Sequence, residues 1–250
     1  VPEGDTIHRS AKSLRAVLEG QPLVRLDVPR ARPGRRPAPG TRIDAVEAVG
    51  KHLVIRFADR STLRTHMRMT GAWHLYRTGE KWKKPAHLAR AVIEVEGWTA
   101  VCFNAPVVEL ETEPISARRV AHLGPDLTDP SVTAAKIERA AAALVGPGEI
   151  GALLLDQRIA AGIGNIFKSE SLFACGIDPF LAADDLTRDR RVAVLTMASK
   201  LLQASVADAP RPRNVYGRAG QPCKRCGSPI HSRPQGEQAR TTYWCPSCQK

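Results

Sequence analysis

The chain has 250 residues, 43% of them apolar, enough for one large domain or two ordinary ones with packed cores. No run approaches the roughly 20 apolar residues a transmembrane helix needs, and no secretory pattern precedes residue 2, so the expected setting is the cytoplasm with no membrane partner. The net charge of +12 is spread along the sequence rather than held in a tail, which favours a polyanionic partner, nucleic acid above all.

The chain opens Val1-Pro2-Glu3-Gly4-Asp5-Thr6. Valine reads as an alternative start, and if it is removed Pro2 carries a secondary α-amine. With a reference pKa of about 7.7–8.0, a useful fraction of such an amine is neutral at physiological pH. A neutral secondary amine can attack an electrophilic carbon and form an iminium ion, with Glu3 beside it as acid or base. A merely stiffening role for Pro2 is the alternative. Ile7, Ala11, Leu14 and Leu18 recur at helical spacing over 5–18, with Asp5 or Thr6 as the cap, so Pro2 and Glu3 sit just ahead of a helix.

Residues 29–40, proline-rich and basic, read as a loop. Segments with β character follow at 42–49, 52–57, 61–66, 72–76, 90–96, 99–103 and 106–111, punctuated by Gly50-Lys51, Asp59-Arg60 and Glu96-Gly97. This part reads as a helix packed on a β-sandwich. Lys51, at a hairpin position, is either solvated or aimed at Pro2, where its charge would lower the amine's pKa. His66-Met67-Arg68-Met69-Thr70-Gly71 ends a strand and begins a turn. An exposed methionine there could wedge into a base stack; packing in the core is the alternative.

Residues 121–131 read as a linker, followed by helices over 131–145, about 148–158, 164–175 and 184–207. In the stretch 156–170, Gly162 and Gly164 permit a tight turn and Asn165 can cap the next helix. Backbone N–H groups at such a terminus suit an anion, here a DNA phosphate; a plain helix-packing corner is the alternative. Cys223-x-x-Cys226 and Cys245-x-x-Cys248 are separated by 18 intervening residues. In a reducing compartment they read as a four-thiolate site for one structural Zn2+ rather than as disulfides. The segment between them suits a β-hairpin too short to hold itself without metal. Arg240, near its tip, could bridge a phosphate or simply be solvated. Cys102 and Cys175 stand alone and read as packing residues.

The motifs Pro2-Glu3-Gly4-Asp5-Thr6, Gly50-Lys51-His52-Leu53, Gly162-Ile163-Gly164-Asn165-Ile166-Phe167 and the terminal cysteine hairpin occur in that order. Together they resemble the formamidopyrimidine-DNA glycosylase and endonuclease VIII family across essentially the whole chain, with the opening PEGDT similar to the endonuclease VIII branch. The resemblance implies an α+β multidomain protein: a β-sandwich with flanking helices (1–120), a helix–two-turn–helix domain (121–210) and a zinc hairpin (211–250), binding damaged DNA as a monomer, cytoplasmic and nucleoid-associated when bound.

It implies a bifunctional glycosylase and apurinic/apyrimidinic lyase acting on oxidised pyrimidines. Pro2 matches the nucleophile, Glu3 the acid, Lys51 the β-elimination lysine and Arg240 the finger arginine of phosphate binding and δ-elimination. Asn165, with Gly164, matches the phosphate-binding turn, Arg68 and Met69 the void-filling loop, and Tyr216 with Gly217 the connector into the finger. No organic cofactor is implied, because the iminium is the electron sink.

The sequence departs from the family pattern at Arg68-Met69-Thr70, where the endonuclease VIII branch has Gln-Leu-Tyr. It departs again at Asn104-Ala105-Pro106-Val107, where the other branch carries an Arg-Phe pair, and at His122, where that branch has an arginine. A DNA-damage-binding protein with weak or no turnover on the same scaffold is the alternative, and a zinc-ribbon RNA-binding protein is a third reading.

Overall fold

The computed structural model describes residues 2–29 and 36–250 and divides into two compact units, 1–122 and 123–250. Val1 and residues 30–35, half of the basic loop expected over 29–40, lie outside the described residues.

In the first unit, helix α1 (Gly4–Leu18) buries Ile7, Ala11, Leu14 and Leu18 on one face, as the spacing requires. It starts earlier than the expected cap at Asp5 or Thr6. Glu3 is the N-cap, in extended conformation, and its carbonyl accepts from Thr6 N at 3.0 Å and Ile7 N at 3.2 Å. Asp5 falls instead in the first turn, where its carboxylate accepts from Thr6 N at 2.7 Å and complements the positive helix end.

Two four-stranded antiparallel sheets face one another. One has the order β1 (Arg25–Asp27), β6 (Ala89–Val95), β7 (Trp98–Phe103), β5 (Ala72–Arg77). The other runs β2 (Ile43–Val49), β3 (His52–Phe57), β4 (Ser61–His66), β8 (Val107–Thr112). Leu53, Ile55 and Leu63 from one sheet join Ile93, Ala100 and Cys102 from the other, with the buried face of α1, in a single apolar core. Burial of each leucine or isoleucine side chain contributes about 1.5–3 kcal/mol. The expected strands are all present, shifted by a residue at some ends. Strand β1 was not expected, because three residues are too few to show an alternation. Helix α2 (Glu113–Val120), with proline in its first turn, was not expected either.

The second unit is helical and ends in a hairpin. Helix α3 (Ala134–Ala143) is shorter than expected because Thr133 caps it, accepting from Lys136 N at 3.3 Å. Helix α4 (Ile150–Leu153) stops far short of 158, since the Asp156 carboxylate takes Arg158 N at 2.9 Å and turns the chain. Helix α5 (Asn165–Cys175) ends on Gly176 in the left-handed region, φ 66°. Helix α6 (Arg188–Val206) begins after its cap Thr187. The stretch expected as a linker is held in place: Leu127 and Thr128 are buried, Asp126 bridges to Ala161, and Ser199 Oγ donates to Leu127 O at 2.8 Å. Strands β9 (His231–Gln235) and β10 (Arg240–Trp244) form the hairpin, with Gln235 opposite Arg240 and His231 opposite Trp244.

Candidate active site and metal centre

In the first unit the candidate residues lie on two turns and at one helix start. Pro2 is half-buried and Glu3 is 1% exposed, immediately ahead of the α1 amides. Gly50-Lys51 is the two-residue connection between β2 and β3, closed by the Val49–His52 pair, and Gly50 takes φ 59°. Lys51 is half-buried, not fully solvated.

Behind that turn, His52 lies opposite His66 in the β3–β4 ladder, with ring centroids 4.7 Å apart. Burial, and then the neighbouring His66, Arg64 and His122, push the His52 pKa down to about 3. Burial, and then the charges of Lys51, Arg68 and Arg64, push His66 down to about 4. Both rings are therefore neutral near pH 7. The Arg64 guanidinium is buried, bonded to His52 Nδ1 at 3.1 Å and to Glu109.

His66 Nδ1 accepts from Arg68 N at 3.2 Å, which ties the Lys51 region to the Met turn. The two methionines of that turn part company: Met67 is 1% exposed in the core, whereas Met69 is 59% exposed. Gly71 closes the turn by donating to Met67 O at 2.8 Å, and a Cβ there would lie 2.7 Å from Met67 Cα. Thr70 Oγ1 donates to Asn104 O at 3.2 Å, so the turn and the 104–107 loop are joined. A groove of about 520 Å³ opens beside them, lined by Thr70, Arg90, Asn104, Ala105, Pro106 and Val108.

In the second unit the expected capping by Asn165 is corrected. Gly164 is the N-cap of α5, and Asn165 is the first helical residue. Its side-chain amide donates to Thr241 O in β10 at 2.7 Å. Gly162, with φ 98°, fits because a Cβ would lie 2.5 Å from Thr128 Oγ1. Tyr216 packs edge-on against Tyr243 at 5.0 Å, with the Arg213 guanidinium 5.0 Å from the Tyr216 ring. Arg240 opens β10 next to the hairpin turn, its Nε donating to Gln238 Oε1 at 2.9 Å.

Two charged residues of α5 escaped the sequence reading. Glu170, 1% exposed, accepts from the backbone amides of Asn214, Val215 and Tyr216 at 2.9–3.0 Å and from Asn214 Nδ2 at 3.0 Å. Each hydrogen bond of this kind contributes about 1.5–3 kcal/mol if the acceptor is charged, which sets the connector carrying Tyr216. Lys168 is fully buried and bonds Thr242 Oγ1 at 2.6 Å. The available signal was that α5 has no polar face; eight consecutive residues of it are buried.

The sulfurs of Cys223, Cys226, Cys245 and Cys248 all lie within 4.8 Å of one another. The Cys223–Cys248 pair is at 4.0 Å and the Cys226–Cys245 pair at 3.4 Å. Tetrahedral coordination with metal–sulfur bonds near 2.3 Å needs about 3.8 Å between sulfurs, so the four thiols fit one metal ion with no open position. Arg225 N donates to Cys223 Sγ at 3.4 Å, and Gly227, with φ 78°, lets the first turn close. Of the two remaining cysteines, Cys102 is buried in the sandwich core and Cys175 is half-buried.

Comparisons with known proteins establish the family and the fold. The profile of the formamidopyrimidine-DNA glycosylase N-terminal domain matches residues 1–106, and that of the formamidopyrimidine-DNA glycosylase H2TH domain matches 123–211. The chain is 38% identical to the probable endonuclease 8 2 of Streptomyces coelicolor, over 100% of this chain and 94% of the other. It is 35% identical to the DNA-(apurinic or apyrimidinic site) lyase Nei2 of Mycolicibacterium smegmatis, over 100% and 99%. Among solved structures, MutM (Fpg) of Thermus thermophilus superposes with a TM-score of 0.80 at 28% identity, covering 99% of this chain and 98% of that one. The two domain matches and the full-length identity make this chain a member of the formamidopyrimidine-DNA glycosylase and endonuclease VIII family.

Proposed function

We propose that the protein is a DNA glycosylase with apurinic/apyrimidinic lyase activity that removes oxidised pyrimidines in base-excision repair. The observation that carries the reading is the Pro2–Glu3 pair. Pro2 stands directly ahead of α1, next to a Glu3 that is 1% exposed, in a family whose relatives include a lyase for apurinic or apyrimidinic sites.

The chemistry follows from the secondary amine that Pro2 carries once Val1 is removed. A damaged nucleotide leaves the duplex at a cost of a few kcal/mol, least where it pairs or stacks poorly. The Pro2 nitrogen lone pair attacks the anomeric carbon C1′, and the bond to the base breaks, its electrons leaving with the base, which takes up a proton. The nitrogen loses its own proton. Its lone pair then forms C1′=N⁺ as the C1′–O4′ bond opens, and Glu3 gives O4′ a proton. The iminium acidifies C2′. Loss of that proton, with Lys51 managing its transfer, shifts electrons to C2′=C3′ and expels the 3′ phosphate. Loss of the C4′ proton likewise expels the 5′ phosphate, with Arg240 holding the departing anion. Water finally hydrolyses the iminium and frees Pro2.

Asn165, with the α5 N-terminus behind Gly164, engages a phosphate on the same strand, and Met69 fills the space left in the stack, with Arg68 beside it. The +12 net charge supports damaged DNA as the partner. The metal held by the four cysteines is one structural Zn2+, which supplies the cross-link that the hairpin's small core cannot. The enzyme acts as a monomer in the cytoplasm; among the described residues no helix is long and apolar enough to cross a membrane.

The decisive experiment is borohydride reduction of the protein, shown by intact mass to begin at Pro2, with duplex DNA bearing an abasic site. A covalent adduct that disappears in Pro2→Gly supports the enzyme. Binding with no adduct supports instead a damage-binding protein without turnover, a reading that the changed residues Arg68-Met69-Thr70 and Asn104–Val107 keep in play.

A further inference from the structure

We infer that the buried cluster of Lys168, Gln235 and Thr242 is a positioning device that sets Arg240 against the phosphate-binding end of α5. The inference rests on the role proposed for Arg240 and deepens it.

The need for such a device is mechanical. The four thiolates hold the open end of the hairpin, where His231 faces Trp244, while Arg240 stands at the turn end. Cys245 is five residues on from Arg240, about 17 Å along a strand. A two-stranded hairpin is marginally stable by itself, so a metal at one end does not fix a guanidinium at the other.

The structure supplies a second fastening at the turn end. Lys168 Nζ, fully buried, donates to Thr242 Oγ1 at 2.6 Å and to Gln235 Oε1 at 3.4 Å. Thr242 Oγ1 donates to the same Gln235 oxygen at 2.7 Å. The other side of that amide, Gln235 Nε2, donates to Pro179 O at 2.7 Å and Glu149 Oε2 at 3.0 Å. Gln235 is the cross-strand partner of Arg240. Its amide enters a slot that only glycine leaves open: a Cβ on Gly151 would lie 2.4 Å from Gln235 Oε1 and 2.9 Å from Pro179 O.

One helical turn before Lys168, Asn165 holds Thr241 O at 2.7 Å. Helix α5 therefore grips β10 at two successive residues, the carbonyl of 241 and the hydroxyl of 242, and Arg240 is the next residue out. Burying a lysine is costly unless its donors are met. An apolar side chain in its place would fill the volume without fixing the register of the hairpin on the helix. Directional bonds to Thr242 and Gln235 do fix it, so Asn165 and Arg240 present their donors to the DNA backbone as one unit.

The test uses the full metal-loaded chain at saturating protein on duplex DNA with an abasic site. Metal content, borohydride-trapped adduct, the ratio of δ- to β-elimination product, and the salt dependence of binding are measured for each protein. Arg240→Ala is the benchmark. Thr242→Val removes only the hydroxyl, Thr242→Ser keeps it, Gly151→Ala blocks the slot, and Lys168→Met removes the buried donor.

The expected result is that Thr242→Val, Gly151→Ala and Lys168→Met keep their metal and their adduct but lose about five-fold or more in the δ-to-β ratio. Their log–log salt slope should fall by about one, as for Arg240→Ala, while Thr242→Ser stays with the wild type. Thr242→Val guards against a Lys168→Met that fails to fold. Variants that fold, hold metal and retain both the wild-type ratio and the wild-type slope overturn the inference. A wild type that forms no adduct sinks the lyase reading instead, and the salt slope then decides the positioning role alone.

Discussion

Asn165 donates its side-chain amide to the carbonyl of Thr241 at 2.7 Å, one residue beyond Arg240. The first residue of α5 is thus bonded to the strand that opens with Arg240. Asn165→Ala removes both this bond and the phosphate donor proposed at this position. DNA affinity should fall about ten-fold, in line with the loss of one or two hydrogen bonds at about 0.5–1.5 kcal/mol each. Fluorescence anisotropy with a labelled abasic duplex measures it, and unchanged affinity would remove Asn165 from the interface.

The two methionines of the 66–71 turn should separate stability from activity. Met67, 1% exposed, lies in the sandwich core, so Met67→Ala should cost about 2–5 kcal/mol of stability. Met69, 59% exposed, should change stability by no more than ~0.5 kcal/mol when cut to alanine. Its loss should instead slow base excision from duplex DNA several-fold while sparing cleavage of a pre-formed abasic site in single-stranded DNA. Equal effects on both substrates would exclude a wedge.

The depressed pKa values of His52 and His66, about 3 and about 4, make a statement about acid stability. Both rings bind a proton near pH 6.5 in the unfolded chain but not in the folded one. Their contribution is complete above pH 6.5 and is lost as the pH falls toward 4. Partial exposure of both rings tempers the effect, and the sandwich should lose about 2 kcal/mol between pH 7 and 5. Protonation of His66 also removes the acceptor that Arg68 N uses. Urea unfolding followed through Trp73 and Trp98 reads this directly, and His52→Gln with His66→Gln should flatten the curve. A midpoint indifferent to pH across that range would refute the account.

Metal removal should act locally. A chelator should release the hairpin, seen in the fluorescence of Trp244, and weaken DNA binding more than ten-fold. The sandwich, with its own core of α1 and two sheets, should melt at an unchanged temperature. Undiminished affinity in a metal-free sample would count against the hairpin as a DNA contact.

Sequence periodicity and spacing were enough for the helix over Ile7–Leu18, the alternating strands of the sandwich, the two CxxC turns and the glycines before α5. Each of those features is local: its signal lies within a few residues because helix and strand repeat at 3.6 and 2 residues and a thiolate pair needs one tight turn. The helix ends were misread wherever a side chain competed for a backbone amide, as Thr133, Asp156 and Thr187 do.

Only the tertiary structure assigned the long-range partners. Asn165 could be read as a cap, yet its amide is used by a strand 76 residues away. Lys168 and Glu170 carry no local pattern that marks them out, and they are buried anchors because eight consecutive residues of α5 are buried. Local composition determines which residues can carry charge, bind metal or turn the chain. Which donor meets which acceptor depends on packing between segments far apart in sequence, and no short-range pattern encodes it.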